Sequence, residues 1–110
     1  MKNVAPAPGR KVRGSTTGRP IMAVLDLLGR RGALRILWEL RGDALTFRAL
    51  SSAAELPPGT LNSRLKELRE AGVIAADGGY ALTPRGRDLL GAIEPLTDWA
   101  KGWAQTSDAG

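Results

Sequence analysis

The stretch Thr46–Ile74, TFRALSSAAELPPGTLNSRLKELREAGVI, decides the fold. Its first part reads as a helix: Thr46 can offer its hydroxyl to a free backbone N–H, and Phe47, Leu50 and Ala54 recur at helical spacing. Pro57, Pro58 and Gly59 break it. A second helix is expected to start near Pro58, where a missing N–H costs nothing. It sets Leu61, Leu65 and Leu68 on one stripe before Ala71-Gly72 ends it. Two short helices across a tight turn form a helix-turn-helix. With the leucine stripe inward, the 3.6-residue period sends Gly59, Ser63, Lys66, Glu67 and Glu70 outward, with Thr60, Asn62, Arg64 and Arg69 on the flanks. Near its start this face is small, polar and neutral, as a helix must be to approach base edges and phosphates closely. The same pattern also suits a surface helix of any small α-rich domain.

On the C-terminal side, Val73-Ile74-Ala75-Ala76 and Tyr80-Ala81-Leu82 read as short strands. Between them Asp77-Gly78-Gly79 supplies the positive φ angles of a tight hairpin. A small hairpin directly after such a helix is a wing. Thr83-Pro84 then caps another helix through Leu89, Leu90, Ile93 and Leu96, which Pro95 is expected to break or kink. Trp99 and Trp103 follow one turn apart, and residues 105–110 read as a polar tail. On the N-terminal side, Pro20 opens a helix with Ile21, Val24, Leu25 and Leu28 on one face, ended by Gly29. The next helix, from about Gly32 to Arg41, is so apolar that it must be covered on several sides, which makes it the central strut. The fold class is therefore mainly α with a small β-hairpin wing, a winged helix-turn-helix over residues 20–104.

The 110 residues fit one domain and contain neither cysteine nor histidine. That excludes a thiol nucleophile, a disulfide framework and a Cys/His zinc site, and removes the commonest general base at neutral pH. Glu67 and Glu70 lack an activated nucleophile or oriented base beside them, so no catalytic constellation, cofactor or metal site is expected. No apolar run approaches membrane-spanning length and no signal-peptide layout is present, so the expected location is the cytoplasm. The net charge is +5, but five of the sixteen basic side chains and none of the eleven acidic ones fall in residues 1–19. The remainder balances at eleven against eleven, so DNA affinity would depend on local clusters plus the arm. Residues 1–19, with two prolines, three glycines and few large apolar groups, read as a flexible basic arm. The arm suits either a tail lying along phosphates or a solvated leader; Gly18-Arg19-Pro20 matches an AT-hook only in part, because Thr17 stands where that motif has arginine.

The order of elements, and three sets of residues, resemble the HxlR-type winged-helix transcriptional regulators of bacteria. The first set is Val24-Leu25-Asp26-Leu27-Leu28-Gly29 leading into Ile36-Leu37-Trp38-Glu39-Leu40. The second is Phe47-Arg48-Ala49-Leu50 leading into Leu61-Asn62-Ser63-Arg64-Leu65-Lys66-Glu67-Leu68. The third is Leu82-Thr83-Pro84-Arg85-Gly86 with Leu89-Leu90 and Asp98-Trp99. The resemblance implies a homodimer paired through N- and C-terminal helices, with one recognition helix per major-groove half-site of a palindromic operator in double-stranded DNA. Carried over, it puts Asn62, Ser63 and Lys66 at the groove, Thr60 beside them in the DNA-binding set, and Arg48 and Arg64 at nearby phosphates. It places Trp99 and Trp103 where the terminal helices meet the partner. Two features depart from the family pattern: Arg19 rather than a cysteine precedes Pro20, so thiol sensing is chemically unavailable, and the Asp77-Gly78-Gly79 wing is short and acidic.

Two readings of function follow. In one the chain is a sequence-specific transcriptional regulator, its second helix reading bases. In the other the same fold is a protein-interaction adaptor, which the electrical neutrality of residues 20–110 and the reduced wing would suit. Trp38, Trp99 and Trp103 could line a site for a small aromatic effector at the dimer interface, or simply pack as core.

Overall fold

The computed structural model describes the backbone of residues 19–109 and the side chains through residue 106, so the expected N-terminal arm lies outside the described residues apart from Arg19. The chain runs α1 (Pro20–Leu28), α2 (Ala33–Glu39), α3 (Phe47–Ala54), α4 (Pro58–Glu70), β1 (Ile74–Ala76), β2 (Tyr80–Leu82) and α5 (Pro84–Ala109). This is a winged helix-turn-helix: α3 and α4 form the motif, and the antiparallel β1–β2 hairpin follows directly.

Local chemistry sets most boundaries. Thr46 caps α3 as its sequence promises, its hydroxyl accepting from the Ala49 N–H at 3.1 Å. Thr46→Ala should therefore lower stability by about 1 kcal/mol, measurable by denaturant unfolding, with the contacts of α4 unchanged. At the other end of α3, Glu55 adopts a left-handed conformation (φ 55°), Ser51 Oγ donates to the Leu56 carbonyl, and Leu56 is buried under the turn. Prolines 57 and 58 then start α4 in place of donors it does not need. Ala71 caps α4 and Gly72 turns the chain at φ 78°.

The core is one cluster centred on Ile36, Leu37 and Leu40 of the α2 region, Leu50 of α3, and Leu61, Leu65 and Leu68 of α4. Val73, Ile74 and Leu82 of the hairpin region close it. The hairpin pairs Ile74 with Leu82, Ala75 with Ala81 and Ala76 with Tyr80, and Leu45 adds a further rung through two backbone hydrogen bonds with Tyr80. That rung joins the α2–α3 connection to the wing. At the start of α5, Thr83 Oγ1 accepts from the Gly86 N–H and donates to the Gly72 carbonyl. The cap of α5 is thereby fastened to the end of α4.

Three expectations change. Pro95 does not break its helix: α5 runs through it to Ala109, so residues 105–109 continue the helix rather than forming a separate tail. The missing N–H removes one rung of a long ladder opposite Gly91, which is exposed, so the freed carbonyl can face solvent. The second helix is also less enclosed than its composition suggests. Ile36 and Leu37 are fully buried, but Leu34 and Trp38 remain about half exposed on the opposite side. Nor do the tryptophans fill the core of this chain: Trp99 and Trp103 are 62% and 60% exposed.

Candidate nucleic-acid interface

The outer face of α4 is divided by what packs on each flank. The leucine stripe faces the core, and Gly59, Asn62, Lys66, Arg69 and Glu70 are exposed, with Thr60 and Ser63 partly so. Asn62, Lys66 and Arg69 lie toward the hairpin, where they and Ser63 line a groove of about 360 Å³ with Leu65 and Tyr80. A second groove of about 520 Å³, between Lys66, Arg69 and Glu70 and the strand residues Ile74–Ala76, continues it. Two cations beside amide, hydroxyl and phenol groups suit a phosphate or the edge of a base. Arg48 is exposed on α3. Asp77 at the hairpin tip is exposed as well and brings no positive charge to the wing.

The other flank departs from expectation. Glu67, expected to point outward, is only 1% exposed. The helical period locates a residue relative to its own helix, but the turn between α1 and α2 lies over this flank and covers it. Arg30 of that turn donates to Glu67 Oε2 at 2.8 Å and to Asp26 at 3.1 Å. Arg64 closes the cluster from within α4: its Nε lies 2.8 Å from Glu67 Oε1 and its Nη2 3.3 Å from Oε2. The Nε–Oε1 contact is short, but the N–H is not aimed at the oxygen, so it counts as an ion pair rather than a hydrogen bond. Arg64 Nη1 also reaches the Arg31 carbonyl at 3.4 Å. The guanidinium expected at a phosphate is thus committed inside the protein.

Sequence reading passed over Tyr80 and left Arg69 among the flanking residues. Tyr80 looks like any strand residue, and only its pairing with Leu45 and its tilted contact with Phe47, at 6.5 Å between ring centroids, bring it beside α4. Arg69 could have been found from the period alone, one turn beyond Lys66 on the same side.

Three other helices carry exposed apolar side chains. Ile21 and Leu25 of α1, Leu34 and Trp38 of α2, and Leu96, Trp99 and Trp103 of α5 are large, apolar and exposed. Trp99 and Trp103 stack on each other at 5.7 Å with their planes 15° apart. The Arg41 guanidinium covers one face of Trp38 at 3.9 Å. A groove of about 710 Å³ is lined by Trp38 with Leu90, Pro95 and Asp98, and neither Trp99 nor Trp103 reaches it. Among the described residues no cluster could hold a metal ion, and no helix is long and apolar enough to cross a membrane.

Residues 27–108 match the family model for HxlR-like helix-turn-helix proteins. Curated relatives include uncharacterized HTH-type transcriptional regulators from Mycobacterium bovis and from two strains of Mycobacterium tuberculosis. Each is 35% identical in an alignment of 97 residues that covers 81% of this chain. The match spans 59% of each relative's own length.

Proposed function

Since the chain belongs to the HxlR-like helix-turn-helix family, we propose that it is a sequence-specific, double-stranded DNA-binding transcriptional regulator. It acts as a homodimer with one α4 per major-groove half-site of a palindromic operator. The observation that carries this reading is the free, polar outer face of α4: Asn62, Ser63 and Lys66 stand clear of the core on a helix whose leucines are fully engaged. Asn62 and Lys66 supply the hydrogen bonds that distinguish bases, and Thr60 and Ser63 are small enough to let the helix approach. Phosphate contacts, which set register, fall to Arg48, Lys66 and Arg69, because Arg64 is occupied by Glu67. Tyr80 offers a hydroxyl at the edge of the same groove.

The exposed apolar face of α1, α2 and α5 supports the dimer. Seven large apolar side chains left in water form the kind of surface that a symmetric partner covers. A small aromatic effector is part of the proposal, bound at the dimer interface by Trp38, Trp99 and Trp103, with the groove beside Trp38 as its share within one chain. Saturable quenching of tryptophan fluorescence by a planar aromatic, together with altered operator affinity, would identify one.

Lys66→Ala and Asn62→Ala should each weaken binding to a cognate duplex by about 1–3 kcal/mol if that side chain reads a base. Arg48→Ala should instead act almost equally on all sequences and reduce the salt slope by about one. Fluorescence anisotropy on cognate and scrambled duplexes across a salt series separates the two patterns. Unchanged binding in all three variants would contradict the assignment of α4.

A further inference from the structure

The buried ion cluster on the hidden flank of α4 has no place in DNA contact, yet it is the most directional interaction that α4 makes. We propose that Arg30, Glu67 and Arg64, with Asp26 behind them, set the rotation of α4 about its axis, making Glu67 a positioning residue for base recognition. This rests on α4 being the recognition helix.

Four charges alternate in sign across three segments: Asp26 in α1, Arg30 in the α1–α2 turn, and Glu67 with Arg64 in α4. Leu61, Leu65 and Leu68 anchor the same helix by apolar packing, which fixes its depth and which side faces inward but, being non-directional, sets the fine angle only loosely. Guanidinium–carboxylate contacts are directional and lose strength steeply when misaligned. Burying such charges is costly, and apolar side chains of similar volume could hold the segments together as tightly or more so. What the ionic arrangement adds is therefore orientation. Its leverage comes from position: Glu67 adjoins Lys66 and lies one turn from Ser63, so any rotation that swings Glu67 out re-aims both by the same angle. Because Asp26 belongs to α1, on the proposed dimer face, the cluster also ties the aim of α4 to the helix that pairs the subunits.

The test compares the full chain with Arg64→Met/Glu67→Leu, which removes one charge of each sign and none of the proposed DNA contacts, and leaves Arg30 paired with Asp26. Glu67→Gln, nearly isosteric, is the second variant. Each is measured for Tm, for affinity to random-sequence duplex, and for affinity to an operator selected by the unmodified protein. The double variant should keep a Tm close to that of the unmodified protein and bind random duplex within about twofold, while its preference for the operator falls about tenfold or more. Glu67→Gln should show the same loss of preference, and it carries the comparison if the double variant does not fold. A folded variant that retains full preference overturns the proposal. If the unmodified protein prefers no sequence, the recognition reading fails first and takes this proposal with it, and that outcome is visible without any variant.

Discussion

Gly86→Ala should destabilise the domain by about 3 kcal/mol, lowering Tm by about 15 °C, although the change adds one methyl group in the first turns of a helix. Gly86 is buried where α5 crosses the chain leaving α4, and a Cβ there would land on the Val73 carbonyl oxygen. That oxygen already accepts from the Thr83 N–H at 3.1 Å. The obstacle is backbone rather than the loose end of a side chain, so α5 must lift away. Lifting it strains the Thr83 hydroxyl's bonds to Gly86 and Gly72, which fasten the cap of α5 to the end of α4. Gly91 in the same helix has open space around its Cα, so Gly91→Ala should be neutral or stabilising by up to about 1 kcal/mol. Thermal unfolding of the two variants side by side isolates the close approach from helix propensity. Equal Tm values would mean that α5 does not cross at Val73.

The second large effect concerns assembly. Trp99→Asp with Trp103→Asp should convert the proposed dimer to a monomer and weaken operator binding at least about a hundredfold, because each half-site would then be held alone. Within one chain these indoles touch mainly each other, at 5.7 Å, and both are largely exposed, so the fold should survive. Sedimentation equilibrium with circular dichroism reads both quantities. An intact dimer would place the partner elsewhere than on the stacked tryptophans.

The fold was largely legible in the sequence because its signals are local. Leucines at 61, 65 and 68, the Thr46 hydroxyl, two prolines opening α4 and the glycines of the hairpin each act within a few residues. The features that escaped depend on segments distant in sequence. Glu67 lies on the polar side of its own helix; Arg64 is near it in sequence, but its burial also depends on Arg30, thirty-seven positions earlier. Tyr80 reaches the candidate site through a rung with Leu45 that no turn signal announces. The pattern predicts a break or kink at Pro95 because it weighs the lost bond, whereas the length of α5 and an exposed Gly91 let the helix continue through it. The apolar excess of α2, Leu34 and Trp38, asked for covering that one chain does not provide. In the proposed dimer, the partner would provide it.

Selection of bound fragments from a random double-stranded library by the purified chain tests the central claim most directly. The account predicts enrichment of an inverted repeat whose half-sites lie about one helical turn apart, with Lys66→Ala or Asn62→Ala relaxing the preference at particular positions inside each half-site. No enriched sequence at low salt, from a protein that is folded and captures a stable protein partner instead, would contradict it and leave the winged helix as an adaptor.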